Sequence, residues 1–308
     1  MKIDLHIHSA NSDGADTIED LIPKIKEAGL DVFALTDHDR TDGWKDAAKL
    51  ANKHGLSFIP GVEITTEGRH PDGKSFGKPF GIHLLAYLPD PNNKQLGRLL
   101  KQLRKGRIRR AKRYVKNIRR DFPSLRYRRV LQLAQKGSTI GRPDIVNALW
   151  ELKDGPGYAS KNDYFNFPDS PISKSSRHYV RNEAPDVLDV IRIVRNAGGV
   201  PVIAHPLART SSEDVQPETF PREHFEAMVE AGLLGIETEH LEVNQETTRP
   251  ILEAFAAKHG LITTGSSDYH GLEVKPDNPL GLHTTSVEML KKILLLGTGT
   301  KPTLNHKI

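Results

Sequence analysis

Short apolar runs alternate with amphipathic segments along most of the chain. Each run has the length and character of a strand that is buried on both faces of a parallel sheet. In the segments between them, apolar residues recur at three- and four-residue spacing, which is typical of helices. The predicted strands lie in the opening segment MKIDLHIHSANSDG and at 31–39, 56–65, 81–88, 198–206, 233–240 and 261–270. The predicted helices lie at 17–28, 42–54, 185–197, 221–231 and 246–259.

Residues 90–183 interrupt this alternation. Their first part has the leucine spacing of long amphipathic helices, and a loop rich in Gly, Pro and aromatic residues follows at 154–171. Seven strand–helix repeats with one interruption predict an α/β fold, a distorted barrel of the TIM type with a helical cap inserted between strands 4 and 5. The predicted boundaries are 1–89 and 184–308 for the barrel and 90–183 for the cap.

Polar side chains stand on or directly after six of the seven predicted strands. In the first strand, His6 and His8 are two residues apart, so both imidazoles project from the same face. Burying so many polar groups without partners costs about 1–3 kcal/mol each, so metal coordination is a simpler interpretation than core filling. The candidate ligands are His6, His8, Asp13, His38, Glu63, His83, His205, Asp268 and His270.

The composition restricts the residues that can bind a metal and indicates the cellular location. The 308 residues include no cysteine, so a metal must be held by His, Asp and Glu, which suits Mn²⁺, Fe²⁺ or Zn²⁺. No apolar run approaches the roughly 20 residues that span a bilayer, and the N-terminus enters a strand-like segment directly. We therefore expect a cytoplasmic protein with no membrane partner, and no obligate protein partner is indicated.

The net charge of +5 is unevenly distributed. Residues 101–129 hold fourteen Lys and Arg and one Asp, and the rest of the chain has a net charge of −8. This partition indicates an acidic, ligand-bearing body with a basic attachment for anionic partners. A basic helix can also be merely solvated, which is the simpler interpretation for most of these charges.

Several motifs resemble, in order and spacing, those of the PHP (polymerase and histidinol phosphatase) superfamily: DLHIHSANSDG, ALTDHD, GVEIT, the isolated His83, AHP and SDYH. The resemblance implies a distorted (β/α)7 barrel with a trinuclear metal site. One metal would take His6, His8, Glu63 and Asp268. A second would share Glu63 and add His83 and His205, and the third would take Asp13, His38 and His270.

The insertion is similar to that of one PHP subgroup. The similar parts are STIGRPDIVNALWE at 138–151, Tyr164 with Phe165, and SRHYV at 176–180. That subgroup includes nucleoside 3′,5′-bisphosphate phosphatases and a 5′→3′ exoribonuclease. The resemblance implies substrate-facing roles for Arg104, Arg107 and Arg142, since arginine binds phosphate with a bidentate fork.

The resulting hypothesis is a phosphoesterase that uses two to three divalent ions. It would remove the 3′-phosphate of nucleoside 3′,5′-bisphosphates by attack of a metal-bridging hydroxide, with Glu63, Asp13 and His38 as catalytic residues. Asp37 and Asp39 would orient the centre from outside it. The alternatives are a 5′→3′ exonuclease on short oligonucleotides, a hydrolase of cyclic phosphodiesters or other small phosphoesters, and a nucleic-acid-binding module without activity.

Overall fold

The structure, a computed structural model, describes residues 1–68, 80–134, 140–161, 163–207 and 220–308. Within these ranges the chain forms seven strands and ten helices. The strands are β1 Ile3–Ile7, β2 Val32–Leu35, β3 Ser57–Gly68, β4 Phe80–Tyr87, β5 Val200–Ala204, β6 Gly235–Glu239 and β7 Ile262–Gly265. The helices are α1 Ile18–Glu27, α2 Trp44–His54, α3 Lys94–Ile118, α4 Tyr127–Leu133, α5 Arg142–Trp150, α6 Asp163–Asn166, α7 Val187–Asn196, α8 Arg222–Glu230, α9 Thr248–His259 and α10 Val287–Leu296.

The seven strands form one sheet in chain order, β1 to β7. The pairs β1–β2, β2–β3, β5–β6 and β6–β7 are parallel. The two edges approach each other where Ile7 bridges Tyr269 and the His8 N–H donates to the Tyr269 carbonyl at 2.9 Å. The sheet is therefore nearly closed, and the prediction of an α/β fold with a distorted TIM-like barrel is confirmed.

Strand β4 departs from the predicted strand–helix repeat, because it runs antiparallel to both β3 and β5. A parallel crossover needs a connection of roughly a dozen residues or more, usually containing a helix. Only residues 69–79 separate β3 from β4, so the chain turns back on itself instead. Residues 66–79 are rich in Gly and charge, which predicts a polar loop, but β3 continues to Gly68 and residues 69–79 lie outside the described residues.

The strands are buried on both faces because two apolar layers cover them. One core joins the sheet to α1, α2, α7, α8 and α9, and a second joins it to Leu290 and Ile293 of α10. Helix α10 is not among the helices predicted from the sequence. Among the described residues, no helix combines the length and apolar character needed to cross a bilayer.

Helices α3 to α6 lie between β4 and β5, and α3 connects two cores. Its first leucines, Leu96 to Leu103, pack in the barrel core, whereas Ala111 to Ile118 pack with α5 and Tyr164 in a third cluster. Ile108, which lies on α3 between the parts that pack in these two clusters, is 41% exposed although the apolar spacing predicts it on the buried face. The boundaries at 89/90 and 183/184 stay a prediction.

Candidate metal centre

Glu63 is the residue on which the polar strand ends converge. It lies in β3, and its side chain is 1% exposed. One oxygen, Oε1, lies 2.8 Å from His83 Nδ1 and 3.2 Å from His205 Nε2. The other, Oε2, lies 3.0 to 3.4 Å from a ring nitrogen of each of His6, His8 and His38. A single carboxylate thus connects five of the predicted ligands.

The remaining predicted ligands adjoin the same cluster. Asp268 Oδ1 lies 3.3 Å from His6 Nε2 and 3.2 Å from His8 Nε2. Asp13 Oδ1 lies 3.4 Å from His270 Nε2, and the rings of His8 and His270 stack with centroids 4.1 Å apart. The structure therefore brings all nine predicted ligands together.

Three overlapping groups have ligand atoms that lie within 4.8 Å of one another: His6, His8, Glu63 and Asp268; His38, Glu63 and His83; and His8, Asp13, His38 and His270. The first group coincides with the first predicted set. The other two are partitioned differently, because His38 faces both Glu63 and Asp13 and because His8 stacks against His270. His205 joins through Glu63 Oε1.

The donors fit divalent cations. Two ligands about 2.0–2.2 Å from one tetrahedral ion lie roughly 3.3–3.6 Å apart, which is close to the separations found here. Within the described ranges, Asp13 Oδ1 and Asp268 Oδ1 are buried and accept no hydrogen bond, although imidazole nitrogens face them. Nitrogen and carboxylate donors without thiolates suit Mn²⁺, Fe²⁺ or Zn²⁺.

The reversed strand β4 explains how His83 reaches the centre. Parallel strands place their carboxyl ends at one rim of the barrel, so an antiparallel strand places its amino-terminal half there. His83 consequently pairs with Thr65 on one side and with Ala204, next to His205, on the other. Three residues at this rim have left-handed backbones, namely Asp39, His205 and Asp268, with φ of 57°, 29° and 50°. Such strain concentrates at functional sites.

The loop that carries Asp13 is fixed by Asp37. This buried carboxylate accepts hydrogen bonds from the Ser9 N–H at 2.8 Å and from the Ser9 and Ser12 hydroxyls at 2.7 and 2.6 Å. Gly14 packs so tightly that an added Cβ would lie 2.6 Å from the His8 carbonyl oxygen. Asp37 thus positions the loop that carries Asp13.

Glu237 is a carboxylate that the sequence analysis did not select. It is fully buried in β6, and its Oε1 lies 3.2 Å from His6 Nδ1. Its Oε2 accepts the His205 N–H at 2.7 Å, and the Ser266 hydroxyl donates to Oε1. Burial acts to raise the pKa of Glu237, but the facing His6 outweighs it and lowers this pKa to about 2. The available signal was a charged residue in the middle of an apolar strand.

Asp268 has two supporting side chains on its second oxygen. Lys275 Nζ lies 2.5 Å from Asp268 Oδ2, and His240 Nε2 lies 3.6 Å from it. His240 directly follows β6, a position that predicts a supporting role rather than metal ligation, whereas Lys275, in the loop after β7, gave no sequence signal. Burial acts to raise the pKa of Asp268, but Lys275 and His6 outweigh it and hold this pKa well below its ordinary range.

The neighbouring histidines differ in proton affinity. Burial acts to lower the pKa of His8, but Asp268 and Glu63 outweigh it and raise this pKa to about 9. Burial, helped by the charge of His8, lowers the pKa of His270. Burial acts to raise the pKa of Glu63, but the histidines around it hold this pKa well below its ordinary range. A bound cation must therefore displace protons from part of the cluster.

Two of the predicted substrate-binding arginines dock α3 on the rim of the centre. Arg107 Nε donates to Asp39 Oδ2 at 2.8 Å, and its Nη2 donates to Thr65 Oγ1 at 2.6 Å. Arg104 Nη1 donates to the Asp39 carbonyl at 2.6 Å. Asp39 thereby supports the site by holding these arginines beside His38.

The third predicted arginine, Arg142, stands at the start of α5, with its guanidinium 5.8 Å from the centroid of the Phe165 ring. Two residues on, Asp144 accepts the Gly141 N–H at 2.7 Å. Burial and the charge of Asp13 raise the pKa of Asp144 to about 6. The charge of Asp13 thus affects the pKa of a residue in the first turn of α5.

Comparison with known proteins identifies the family. Residues 4–148 match the PHP domain. A solved structure from Bifidobacterium adolescentis, described as a metal-dependent phosphoesterase, is 33% identical, with a TM-score of 0.82 over 96% of each chain. The chain belongs to the PHP family. This PHP protein is accordingly a metal-dependent phosphoric ester hydrolase.

Two curated relatives of this PHP protein bear on its substrate. A phosphoribosyl 1,2-cyclic phosphate 1,2-diphosphodiesterase from Eggerthella lenta is 27% identical over 87% of this chain and 94% of its own length. A 3′,5′-nucleoside bisphosphate phosphatase from Chromobacterium violaceum is 28% identical over 87% of each chain. Similarity alone does not choose between these two substrates.

Proposed function

We propose that this protein removes the 3′-phosphate of nucleoside 3′,5′-bisphosphates and releases 5′-nucleotides. The observation that carries the proposal is the docking of α3 on the metal centre through Arg107 and Asp39. This contact holds Arg107 against Asp39, the residue that follows the candidate ligand His38. A substrate with two phosphates, one for the metals and one for the arginines, matches that arrangement.

We propose that the nine side chains hold two to three divalent ions, Mn²⁺, Fe²⁺ or Zn²⁺. When bound, such ions neutralise phosphoryl oxygens and generate hydroxide near neutral pH. Glu63 has its two oxygens directed at different histidines, so it is suited to be shared between ions. Asp13 and His38 hold the side of the centre that faces the cap. Glu237 and Asp37 keep the ligands and the Asp13 loop in place.

The second phosphate would bind to the arginines of the cap. Arg107 is anchored through Nε and Nη2, and its Nη1 donates to no described residue. Among the residues that the structure describes, Arg104 is anchored through one nitrogen only. A guanidinium has five N–H donors, so both side chains keep donors for phosphate oxygens. Arg142, at the start of α5, would be the third arginine to contact this phosphate.

The test is phosphate release from adenosine 3′,5′-bisphosphate in the presence of Mn²⁺, with identification of the remaining nucleotide. We expect 5′-AMP to accumulate. Adenosine 3′-monophosphate lacks the second phosphate, so we expect a higher KM for it. Arg104→Ala should reduce this preference, whereas Arg98→Ala, at an exposed position of α3, should preserve it. Formation of 3′-AMP, or equal KM values for both substrates, would contradict the proposal.

A second candidate is hydrolysis of a cyclic phosphodiester. The similarity to the cyclic phosphate diesterase from Eggerthella lenta, over nearly all of its length, favours it. An assay with phosphoribosyl 1,2-cyclic phosphate distinguishes the two, because a cyclic phosphodiesterase opens its ring diester whereas a 3′-phosphatase leaves that diester intact. The predicted exonuclease activity requires room for further nucleotides beyond the metal centre.

A further inference from the structure

A basic groove lies outside the metal centre, between the second half of α3 and residues 179–184. Its volume is about 650 Å³, within the range of small-molecule sites. The residues that give it its character are Arg113, Lys116, Arg120, Tyr179 and Arg181. Neither the nine candidate ligands nor the predicted substrate-binding arginines line it.

The acidic residues of the groove do not neutralise all of its positive charges. Arg181 pairs with Glu67, and Arg113 Nη1 lies 3.6 Å from Glu183, a pair in which both side chains are largely exposed. Such exposed pairs contribute little and open readily for another anion. Lys116 and Arg120 are exposed and form no ion pair with any described residue. The lining therefore attracts an anionic ligand.

Two elements lead from the metal centre to this groove. Along β3, Glu63, Thr65 and Glu67 share one face, so Glu67 lies about 13 Å beyond the metal ligand. Along α3, Arg107 contacts Thr65, and Arg113 follows about 9 Å further on. At the far end, Glu67 and Arg113 both line the groove. Strand and helix thus extend outward side by side from one site to the other.

An aromatic ring accompanies the charges. Tyr179 packs edge-on against Tyr114, and the Arg110 guanidinium lies 6.0 Å from its ring centroid. Arg110 is in turn fixed by donating to the Val180 carbonyl at 2.7 Å. Cations that follow a backbone beside a stacking ring are typical of single-strand nucleic-acid sites.

We propose that this groove binds the phosphates of a single-stranded oligonucleotide whose first internucleotide phosphodiester lies in the metal centre. Water then cleaves the P–O3′ bond of this diester, which releases a 5′-nucleotide and leaves a shortened chain with a 5′-phosphate. The proposal rests on the nucleotide specificity proposed above and extends it from mononucleotides to short chains. Lys116 and Arg120 contact phosphates, and Tyr179 offers its ring to a base. The basic second half of α3 then has a function beyond solvation.

The test compares two double variants of α3 that remove the same charge. Lys116→Ala/Arg120→Ala changes the groove, and Lys105→Ala/Arg109→Ala changes exposed residues that do not line it. The substrates are adenosine 3′,5′-bisphosphate and a 5′-phosphorylated tetra-adenylate, both with Mn²⁺. We expect the groove variant to raise KM for the tetranucleotide at least tenfold and for the bisphosphate less than twofold.

Salt provides an independent readout. Two lost phosphate contacts should reduce the slope of log KM against log salt for the tetranucleotide by about 1.4, since single strands lose about 0.7 per contact. The control variant should keep the slope of the unmodified protein. Equal KM changes for both substrates, or equal effects of the two variants, would overturn the proposal.

Binding separates this proposal from the proposed function. Fluorescence anisotropy of a labelled tetra-adenylate, with a chelator present so that the probe stays intact, is measured for the unmodified protein and the two double variants. One outcome is that neither nucleotide is hydrolysed but the groove variant alone binds the tetra-adenylate at least tenfold more weakly. This result would contradict the bisphosphatase proposal and support the groove proposal. If bisphosphate is hydrolysed and the groove variant binds normally, the groove proposal is overturned alone.

Discussion

Glu237 Oε1 lies 3.2 Å from His6 Nδ1, so a fully buried carboxylate fixes the outer nitrogen of a candidate metal ligand. The ring is thereby turned so that Nε2 faces Glu63 and Asp268. A carboxylate behind a ligating histidine fixes its tautomer and strengthens it as a ligand.

We therefore expect Glu237→Gln to weaken metal binding by about 10- to 100-fold. The amide retains the size of the side chain but loses the charge that supports His6. Isothermal titration calorimetry with Mn²⁺ measures the change in affinity. The matched control is Glu239→Gln, two residues along the same strand, where the carboxylate pairs with Arg249 instead. Equal affinities for Glu237→Gln and the unmodified protein would exclude this supporting role.

Gly14 offers a test of the loop that carries Asp13. A methyl group at this position would lie 2.6 Å from the His8 carbonyl oxygen, so Gly14→Ala must displace the loop. We expect the variant to bind fewer ions per chain, with the loss confined to the group that contains Asp13, His38 and His270. Elemental analysis after dialysis measures the stoichiometry.

Gly97 is the matched control for this substitution. It lies in α3, and an added Cβ there meets no atom within 4 Å. Gly97→Ala should leave the metal content unchanged and increase stability by about 0.5–1 kcal/mol, because alanine favours a helix interior over glycine. A lower metal content in this variant would show that the Gly14 result reflects general damage.

Asp144 gives a prediction on pH. In the unfolded chain its carboxyl titrates near 3.8, whereas burial and Asp13 raise the pKa to about 6 in the folded protein. The folded state therefore binds the proton more tightly, and Asp144 destabilises the fold increasingly as pH rises from about 4 to 6. Asp144→Asn retains an acceptor for the Gly141 N–H and removes this penalty.

For the metal-free protein at pH 8, we expect Asp144→Asn to raise the free energy of unfolding by about 1–3 kcal/mol. The gain should disappear near pH 4, where the aspartate is protonated in both states. Denaturant unfolding at the two pH values measures it. Asp46→Asn, at an exposed position of α2, should change stability by less than about 0.5 kcal/mol at either pH. A gain of equal size at pH 4 would refute the assigned cause.

Removal of metal should destabilise the whole barrel. The candidate ligands come from β1, β3, β4 and the segments that follow other strands, so ions bound to them stabilise the folded state only. At a free ion concentration 100 times Kd, this stabilisation is about 2.7 kcal/mol for one site. We expect a chelator to lower Tm by at least a few degrees, reversibly on addition of Mn²⁺. An unchanged Tm would contradict ligation by these residues.

The sequence predicts much of the fold, because local pattern determines the elements. Five of the seven strands lie within their predicted apolar runs, whereas β3 extends three residues beyond its run and β4 begins one residue before it. Helices α1, α2, α7, α8 and α9 lie within about two residues of the predicted bounds. The direction of β4 is not encoded in such a pattern, since a buried strand has the same apolar run in either orientation. The short connection to β3 was the available clue.

The candidate site was predictable only as far as its residues follow strands. Ligands such as His205 and Asp268 stand at strand ends, so their convergence could be inferred from barrel geometry. Glu237 acts on His6, far away in the chain, and Lys275 acts on Asp268 across the irregular loop after β7, and periodicity reveals neither contact. Likewise, the sequence suggested phosphate contacts for Arg107 without showing that Asp39 and Thr65 anchor it.

The most direct test of the metal centre is an anomalous difference map from crystals soaked in Mn²⁺, recorded near the manganese edge. We expect two to three peaks, with one between His6, His8, Glu63 and Asp268 and one beside Asp13, His38 and His270. At least one peak should contact a Glu63 oxygen. A map with no peak at Glu63, or with manganese bound only elsewhere on the protein, would contradict the metal-dependent mechanism proposed for this site.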